Sequence, residues 1–219
     1  MQGQVLTIAQ QKGGAGKTTL AAQLSAAFSK LGYATGTVDI DPQGSLSLWF
    51  EARQSHLGDD NRITHSQISA WRLKTEIDRL KHEMDVVVID SPPHADSDSK
   101  IAVRMADLVL VPVQPSPMDI WASKPTFDLA ESEGSTLQVV LNRMDTRTNL
   151  TRKMLEKLNR LNVKVADQSL GSRVAFASSM LDGLGVAESE PSSQAAKEIN
   201  ALARILIQQQ SFKKSSRAA

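Results

Sequence analysis

The sequence predicts a single α/β domain with a mostly parallel, twisted sheet flanked by helices. Short apolar runs rich in β-branched residues, such as 4–9, 86–89 and 108–113, are typical of strands buried on both faces. Helical patterns alternate with these runs, as crossover connections between parallel strands require. A chain of 219 residues is long enough for one sizeable domain and short for two.

The first predicted unit is strand, glycine-rich loop and helix. The strand covers residues 4–9, and the loop follows it directly. After the loop, apolar residues recur at helical spacing until Gly32, which is expected to end the helix. The periodic residues are Leu20, Leu24, Ala27, Phe28 and Leu31.

The next elements follow the same alternation. Residues 34–38 predict a second strand, and residues 66–84 predict an amphipathic helix that places Ile68 and Trp71 on its apolar side. Three further buried strands are expected at 85–90, 108–113 and 137–141. Because the carboxyl ends of parallel strands share one edge, the polar residues that follow them should lie on the ligand side of the sheet.

The loop carries the residues needed to hold a nucleoside triphosphate. This set of residues predicts a P-loop NTPase fold. Glycines allow backbone N–H groups to surround phosphates, a lysine binds the β- and γ-phosphates, and a hydroxyl binds Mg²⁺. Lys17 and Thr18 fill the last two roles. The general pattern has glycine at position 11, where this chain has Gln11, and a second lysine, Lys12, is surplus to it. The predicted nucleotide-binding residues are Gly13, Gly14, Ala15, Gly16, Lys17, Thr18 and Thr19.

Carboxylates at the ends of two strands complete the predicted site. Asp39 and Asp41 leave the second strand, where one can assist Mg²⁺ and the other can orient a water towards the γ-phosphate. Asp90 ends a buried apolar strand, where a carboxylate needs a partner, and Mg²⁺ is a natural one. Asn142 follows a later strand and is either an adenine contact or a simple turn residue.

Composition excludes several other kinds of site. The chain has no cysteine, so disulfides and cysteine-held metals are ruled out. Its four histidines are scattered without metal spacing, and we assign them no catalysis. The absence of cysteine also fits a reducing, cytoplasmic setting. No apolar stretch reaches 18 residues and the N-terminus enters a strand within a few residues, so neither a membrane span nor a signal peptide is expected.

Charge is unevenly distributed along the chain. Residues 1–141 carry 12 basic and 17 acidic residues, a net charge of −5, whereas residues 142–219 carry 13 and 7, a net charge of +6. This excess indicates either a surface for a polyanion or ordinary solvated helix faces. Residues 211–219 are expected to form a disordered basic tail after a domain at 1–210.

Four motifs together resemble the ParA/MinD family of deviant Walker ATPases, and in particular its short ParA type. They are residues 12–19, 38–44, 86–93 and 111–119. The resemblance implies ATP and Mg²⁺ as ligands, with Lys17 and Thr18 on the phosphates and metal. It implies that Lys12 crosses a homodimer interface to the partner's ATP, that Asp41 positions the hydrolytic water, and that Asp39 and Asp90 lie on the metal side.

The resemblance also implies a function. Members of this type bind nonspecific nucleoid DNA as ATP-bound homodimers, and a ParB/ParG-like or adaptor protein stimulates their hydrolysis to segregate or position a plasmid, chromosome region or protein cargo. The candidate DNA-binding residues here are Arg152, Lys153, Lys157, Arg160 and Arg173. The chain starts directly at its first strand, so we expect no operator-reading domain, and its polar end makes a membrane anchor unexpected.

Two alternatives remain open at this stage. One is an ATP-using small-molecule ligase of the dethiobiotin-synthetase or cobyrinate-amidase type, although no acid-binding or glutaminase motif is visible. The other is a MinD-like membrane-associated regulator. Within the main hypothesis, a plasmid, a chromosome origin, a chemoreceptor cluster and a carboxysome are all possible cargoes.

Overall fold

A seven-stranded, wholly parallel sheet forms the centre of the computed structural model, with strand order β3-β2-β4-β1-β5-β6-β7. The structure describes residues 2–93, 97–145 and 149–210, without the side chains of 149–152 and 154. The strands are β1 Gln4–Ile8, β2 Thr35–Asp39, β3 Ile63–Gln67, β4 Val86–Asp90, β5 Leu108–Val113, β6 Leu137–Leu141 and β7 Lys164–Val165. The predicted α/β fold is confirmed.

Helices cover both faces of the sheet. They are α1 Lys17–Lys30, α2 Ser45–Leu57, α3 Leu73–Glu83, α4 Ser97–Met105, α5 Pro117–Ser132, α6 Asn149–Arg160, α7 Ala175–Ser178, α8 Val186–Ser189 and α9 Gln194–Gln209. Because successive strand residues point to opposite faces, Val86 and Val88 pack with α1 and α9, whereas Val87 and Ile89 pack with α3. The buried strands therefore read as continuous apolar runs.

The register places three functional strand ends side by side. β4 lies between β1 and β2, so Asp90 pairs with Ile8 on one side and with Asp39 on the other. The loop after β1 and the carboxylates that end β2 and β4 consequently meet at one edge of the sheet. This meeting point is the switch in strand order at which α/β proteins bind their ligands.

One predicted element is wrong and two strands were not predicted. Residues 66–84 do not form a single helix: β3 includes Ser66 and Gln67, a short 3₁₀ turn covers Ala70–Arg72, and α3 begins at Leu73. Trp71 is 79% exposed, so it is not part of a buried helix face. The other unpredicted strand is the two-residue β7.

The first helix agrees with its prediction. α1 ends at Lys30, and Gly32 adopts a φ of 83° while its N–H bonds to the Ser29 carbonyl, as at many helix C-termini. The predicted tail, residues 211–219, lies outside the described residues.

Candidate functional site

The glycine-rich loop joins β1 to α1 and shows why glycine is required in it. Gly14 and Gly16 have φ values of 75° and 95°, which side chains other than glycine rarely adopt. Gly16 caps α1, so Lys17 and Thr18 begin the helix. The backbone N–H groups at the start of α1 and the helix dipole both favour a bound phosphate here.

Asn142 packs directly on this loop. Its Nδ2 donates to the Ala15 carbonyl at 3.0 Å, and a Cβ on Gly16 would lie 2.6 Å from that nitrogen. Its Oδ1 accepts from the Arg143 N–H at 3.0 Å. Asn142 therefore holds the strand end of β6 against the phosphate loop, and its contact with adenine stays a prediction.

A cavity beside the loop is suited to the rest of a nucleotide. It lies between the first turn of α1 and the segment 170–177, and its lining includes Thr19, Asn142, Gly171 and Phe176. A base and ribose bound there would continue from phosphates held by the loop.

Thr18 and Asp90 form the candidate magnesium site. Thr18 Oγ1 donates to Asp90 Oδ2 at 2.6 Å, while the buried Oδ1 has no hydrogen-bond partner among the described residues. Burial raises the pKa of Asp90 to about 7, with the nearby Asp39 and Asp41 charges adding to it. An unsatisfied buried carboxylate oxygen beside a hydroxyl fits Mg²⁺, which prefers oxygen ligands.

The metal site is incomplete without a nucleotide. In the described part of the chain, no group of three or more His, Asp or Glu side chains is placed to hold a metal ion. Mg²⁺ typically uses one or two protein oxygens together with substrate phosphates. The residues present therefore fit a metal that arrives with ATP, where it would neutralise phosphate charge.

Lys17 lies among these charges. It is 8% exposed, and burial lowers its pKa, while the carboxylates of Asp90 and Asp41 oppose that shift. The Asp41 carboxylate itself accepts, at Oδ1, from the Gln43 N–H at 2.9 Å.

Asp39 organises the loop that carries Asp41. Its Oδ1 accepts from the Asp41 N–H at 3.0 Å, and its Oδ2 accepts from the N–H and Oγ of Ser47 at 2.9 and 3.0 Å. Burial raises the pKa of Asp39, while these donors lower it. Direct coordination of Mg²⁺ by Asp39 would require that a metal replace one or more of these hydrogen-bond donors. This role of Asp39 stays a prediction.

Lys12 is held at the rim of the site by Asp119. Its Nζ lies 2.8 Å from Asp119 Oδ2, and the side chains are 39% and 3% exposed. Asp119 lies in the first turn of α5, 107 residues further along the chain. The ion-pair partner of Lys12 therefore lies on α5, outside the phosphate loop, whereas Lys17 lies where the loop enters α1.

The predicted DNA-binding residues fall into different environments. Lys153 and Arg160 are exposed on α6, and Lys157 Nζ lies 4.9 Å from the centre of the Trp121 ring. Arg173 instead forms a two-point ion pair with Glu198, at 2.6 and 3.0 Å. The side chain of Arg152 is outside the described part of the chain. DNA binding by these five residues stays a prediction.

Comparisons with known proteins agree with this geometry. Residues 6–186 match the CobQ/CobB/MinD/ParA nucleotide binding domain. The chain belongs to this family. It is 32% identical to the Maintenance of carboxysome distribution protein A of Halothiobacillus neapolitanus, over 92% of this chain and 95% of that protein.

Solved structures share the fold. The cell division ATPase MinD of Pyrococcus furiosus superposes with a TM-score of 0.79 at 22% identity, covering 94% of this chain and 99% of that one. Cobyrinic acid a,c-diamide synthase of Mycobacterium smegmatis, with a bound ATP analogue and magnesium, gives 0.78 at 21% identity and 97% of each chain.

The family assignment confirms three predictions. They are the ParA/MinD membership, the ATPase activity, and ATP with Mg²⁺ as the ligands. Within the described residues, no helix combines the length and apolar character needed to cross a membrane.

Sequence reasoning gave no role to Asp119 and Ser47. Asp119 ends one of the motifs that carry the family resemblance, which was the available signal, but no spacing rule connects it to Lys12. Ser47 is an ordinary helix residue in sequence, and only the fold brings it to Asp39.

Proposed function

We propose that this protein is an ATP-gated dimer that positions a cargo on DNA. The observation that carries the proposal is the placement of Lys12. Lys17 already provides the lysine of the phosphate loop, and Lys12 lies at the rim, 39% exposed and paired to Asp119. A cation there is suited to a neighbouring copy's phosphates, where it would stabilise charge on the transferring phosphoryl group.

Dimerisation linked to ATP follows from this arrangement. A lysine that crosses between subunits makes ATP part of the interface, and loss of the γ-phosphate removes the group it binds. Binding energy then depends on the nucleotide state, which is the requirement for a ligand-controlled population shift.

The charge distribution supports DNA as the surface on which the dimer acts. Lys153, Lys157 and Arg160 occur on α6 at spacings of four and three residues, which places them on one face of the helix. Two copies double the number of phosphate contacts, so DNA affinity should rise steeply on dimerisation and fall with salt. We propose nucleoid association on this basis.

The name of the relative with 32% identity supports a protein cargo. That protein is described as maintaining carboxysome distribution, and the two chains align over nearly their full lengths. We therefore propose that a large protein assembly, rather than a plasmid, is the cargo, and that an adaptor protein bound to it stimulates hydrolysis.

The fold alone does not separate this function from a ligase. Cobyrinic acid a,c-diamide synthase has nearly the same TM-score as MinD. Lys12 favours the dimer, because a nucleotide site contained within one subunit needs only one lysine, which Lys17 provides. Formation of a product from a candidate acid and ATP would favour the ligase.

The test uses Asp41→Ala, which should bind ATP without hydrolysing it. With ATP and Mg²⁺ we expect this variant to form dimers, measured by light scattering after size-exclusion chromatography, and to be retained on nonspecific DNA in a salt-sensitive way. Asp41→Ala combined with Lys12→Ala should stay monomeric. The proposal fails if Asp41→Ala is monomeric with ATP, or if it binds liposomes and not DNA.

The cargo adaptor can be sought with the same protein. Asp41→Ala immobilised with ATP should capture the adaptor, and the captured protein should accelerate ATP hydrolysis by the wild-type enzyme. Asp41→Ala combined with Lys12→Ala is the matched bait, because it keeps Lys17 of the phosphate loop and lacks the proposed dimer. Equal capture by both baits would contradict a dimer-specific partner.

A further inference from the structure

A line of polar side chains leads from the half-buried His65 of β3 to Asp39 at the end of β2. Thr37 of β2, His65 of β3 and Ser47 of α2 are joined by two hydrogen-bond distances of 2.9 Å, from His65 Nδ1 to Thr37 Oγ1 and from His65 Nε2 to Ser47 Oγ. Ser47 Oγ is in turn 3.0 Å from Asp39 Oδ2. Thr37 and Asp39 are fully buried, and Ser47 is 5% exposed.

The donors available decide the direction of these bonds. An ionised carboxylate only accepts, and the backbone N–H groups of Asp41 and Ser47 already donate to Asp39. Ser47 has one hydroxyl proton, and it donates this proton in its hydrogen bond to the carboxylate. Its oxygen must then accept from His65, so we assign the ring proton to Nε2.

The other ring nitrogen is consistent with this assignment. A neutral ring protonated at Nε2 accepts at Nδ1, where the Thr37 hydroxyl lies at 2.9 Å; the alternative acceptor for that hydroxyl, the Thr64 carbonyl, is more distant at 3.2 Å. The ring is also stacked on Phe50, with centroids 4.8 Å apart and planes 22° apart. Burial lowers the pKa of His65 to about 4, which keeps the ring neutral. Every hydrogen bond in the line therefore points towards Asp39.

Asp39 connects this line to the loop that carries Asp41. The bond from the Asp41 N–H to Asp39 Oδ1 fixes the backbone from which the Asp41 carboxylate projects. Asp41 is the residue proposed to orient the water that attacks ATP. A shift of Asp39 moves the anchor of that residue, and catalytic geometry tolerates little displacement.

We propose that His65 is a positioning residue for ATP hydrolysis, acting through Ser47 and Asp39 on the loop that carries Asp41. The proposal rests on the proposed function, in which Asp41 keeps the role that the family resemblance implies for it, the positioning of the hydrolytic water. His65 does not contact the substrate; it sets the direction of the Ser47 hydroxyl and so the orientation of the Asp39 carboxylate.

The experiment compares His65→Leu, His65→Gln and Ser47→Ala in basal ATP hydrolysis. Leucine keeps apolar volume and removes the donor, whereas the glutamine side-chain amide can donate to Ser47 in place of Nε2. We expect His65→Leu and Ser47→Ala to lower kcat about tenfold with the KM for ATP changed by less than about twofold, which is the pattern of a lost transition-state interaction. His65→Gln should recover most of kcat.

Two further readouts separate positioning from packing. His65→Leu combined with Ser47→Ala should lower kcat no more than either of these two changes alone, because both interrupt the same line of hydrogen bonds. In the wild-type protein, ring ¹⁵N resonances should show His65 protonated at Nε2. Protonation at Nδ1, wild-type kcat in His65→Leu, or no recovery in His65→Gln would each overturn the proposal.

Asp41→Ala distinguishes failure of this proposal from failure of the proposed function. If Asp41→Ala abolishes hydrolysis and His65→Leu has no effect, the role of His65 is overturned and that of Asp41 stands. If Asp41→Ala hydrolyses ATP normally, both are overturned.

Discussion

Lys12 of the phosphate-loop motif and Asp119 of α5 form an ion pair, with Nζ 2.8 Å from Oδ2. The carboxylate is 3% exposed, and its Oδ1 has no hydrogen-bond partner in the described part of the chain. Lys12 therefore compensates a buried charge. If Lys12 reaches across to another copy's ATP, Asp119 is left as an uncompensated carboxylate, which is costly in a buried site. The ion pair would therefore oppose the proposed dimerisation.

We predict that Asp119→Asn strengthens ATP-dependent dimerisation. The amide keeps the shape of the side chain and removes the charge that retains Lys12. Because Lys12 is partly solvent-exposed, we expect an effect of only about 1 kcal/mol, or about a fivefold lower dimer dissociation constant. Analytical ultracentrifugation with ATP, in the Asp41→Ala background, measures it.

The matched control is Asp128→Asn on the same helix. Asp128 is exposed and pairs with Lys124 at 2.7 Å, far less buried than Asp119. It should leave the dissociation constant unchanged. Equal dimerisation in Asp119→Asn and the control would show that the Lys12 ion pair does not oppose association.

We predict that Gly16→Ala destabilises the nucleotide-free protein, while Gly13→Ala does not. Gly16 has a φ of 95°, and an added Cβ would lie 2.6 Å from Asn142 Nδ2, whereas a Cβ on Gly13 meets nothing within 4 Å. A left-handed conformation costs other residues roughly 1–2 kcal/mol. Urea unfolding should show a loss of that size for Gly16→Ala and a change within about 0.5 kcal/mol for Gly13→Ala. Equal stabilities would mean that the loop relaxes without cost.

The meeting of the candidate site residues at one edge was predictable because they are close in sequence or end recognisable strands. The loop from Gly13 to Thr18 is contiguous, and Asp90 follows four apolar β-branched residues. The alternation of strands and helices implies a parallel sheet whose carboxyl ends share one edge. The strand order that brings Asp39 and Asp90 into direct register is a finding of the structure.

The edge strand β3 was not predictable in the same way. Only Ile63 is buried in it, and Thr64, His65 and Ser66 are half-buried polar residues, so the apolar alternation that marks a strand is weak. The spacing of the apolar residues Ile68 and Trp71 matches that of a helix, so the predicted helix began too early in the chain. Pairing with β2 overrides this local pattern, because it satisfies the backbone groups of both strands.

The contacts between distant segments were also outside the reach of sequence reasoning. Lys12 and Asp119 are 107 residues apart, and the bond from Asn142 to the Ala15 carbonyl spans 127 residues. Such pairs depend on how helices and strands pack rather than on spacing, so Asp119 had no role until the fold was known.

We predict that His65 makes the protein less stable in mild acid. Its pKa is lowered from 6.5 to about 4 in the folded state, so the unfolded chain binds more protons between those values. Unfolding free energy should therefore fall as the pH decreases from about 6.5 to 4, by about 3 kcal/mol from this residue. Above pH 6.5 the residue contributes no pH dependence.

The measurement is urea unfolding of the nucleotide-free protein between pH 7.5 and 4.5. His65→Gln cannot take up a proton, so its stability should fall less with acid than that of the wild type. Parallel curves for wild type and His65→Gln would mean that the ring accepts a proton in the fold.

We predict that the basic face of α6 carries DNA binding. Lys153→Ala with Arg160→Ala should weaken DNA binding by the ATP-bound Asp41→Ala protein. It should also reduce the slope of log affinity against log salt concentration by about 0.9 per lost phosphate contact.

The matched control is Arg62→Ala with Lys74→Ala. It removes the same charge from exposed positions away from α6, near β3 and on α3. Fluorescence anisotropy across a salt series measures both. If the two double variants lose affinity equally, net charge alone governs binding; if only the α6 variant loses affinity and salt slope, the contacts lie on α6. Arg173→Ala should change the slope little, because Glu198 already holds that guanidinium at two points.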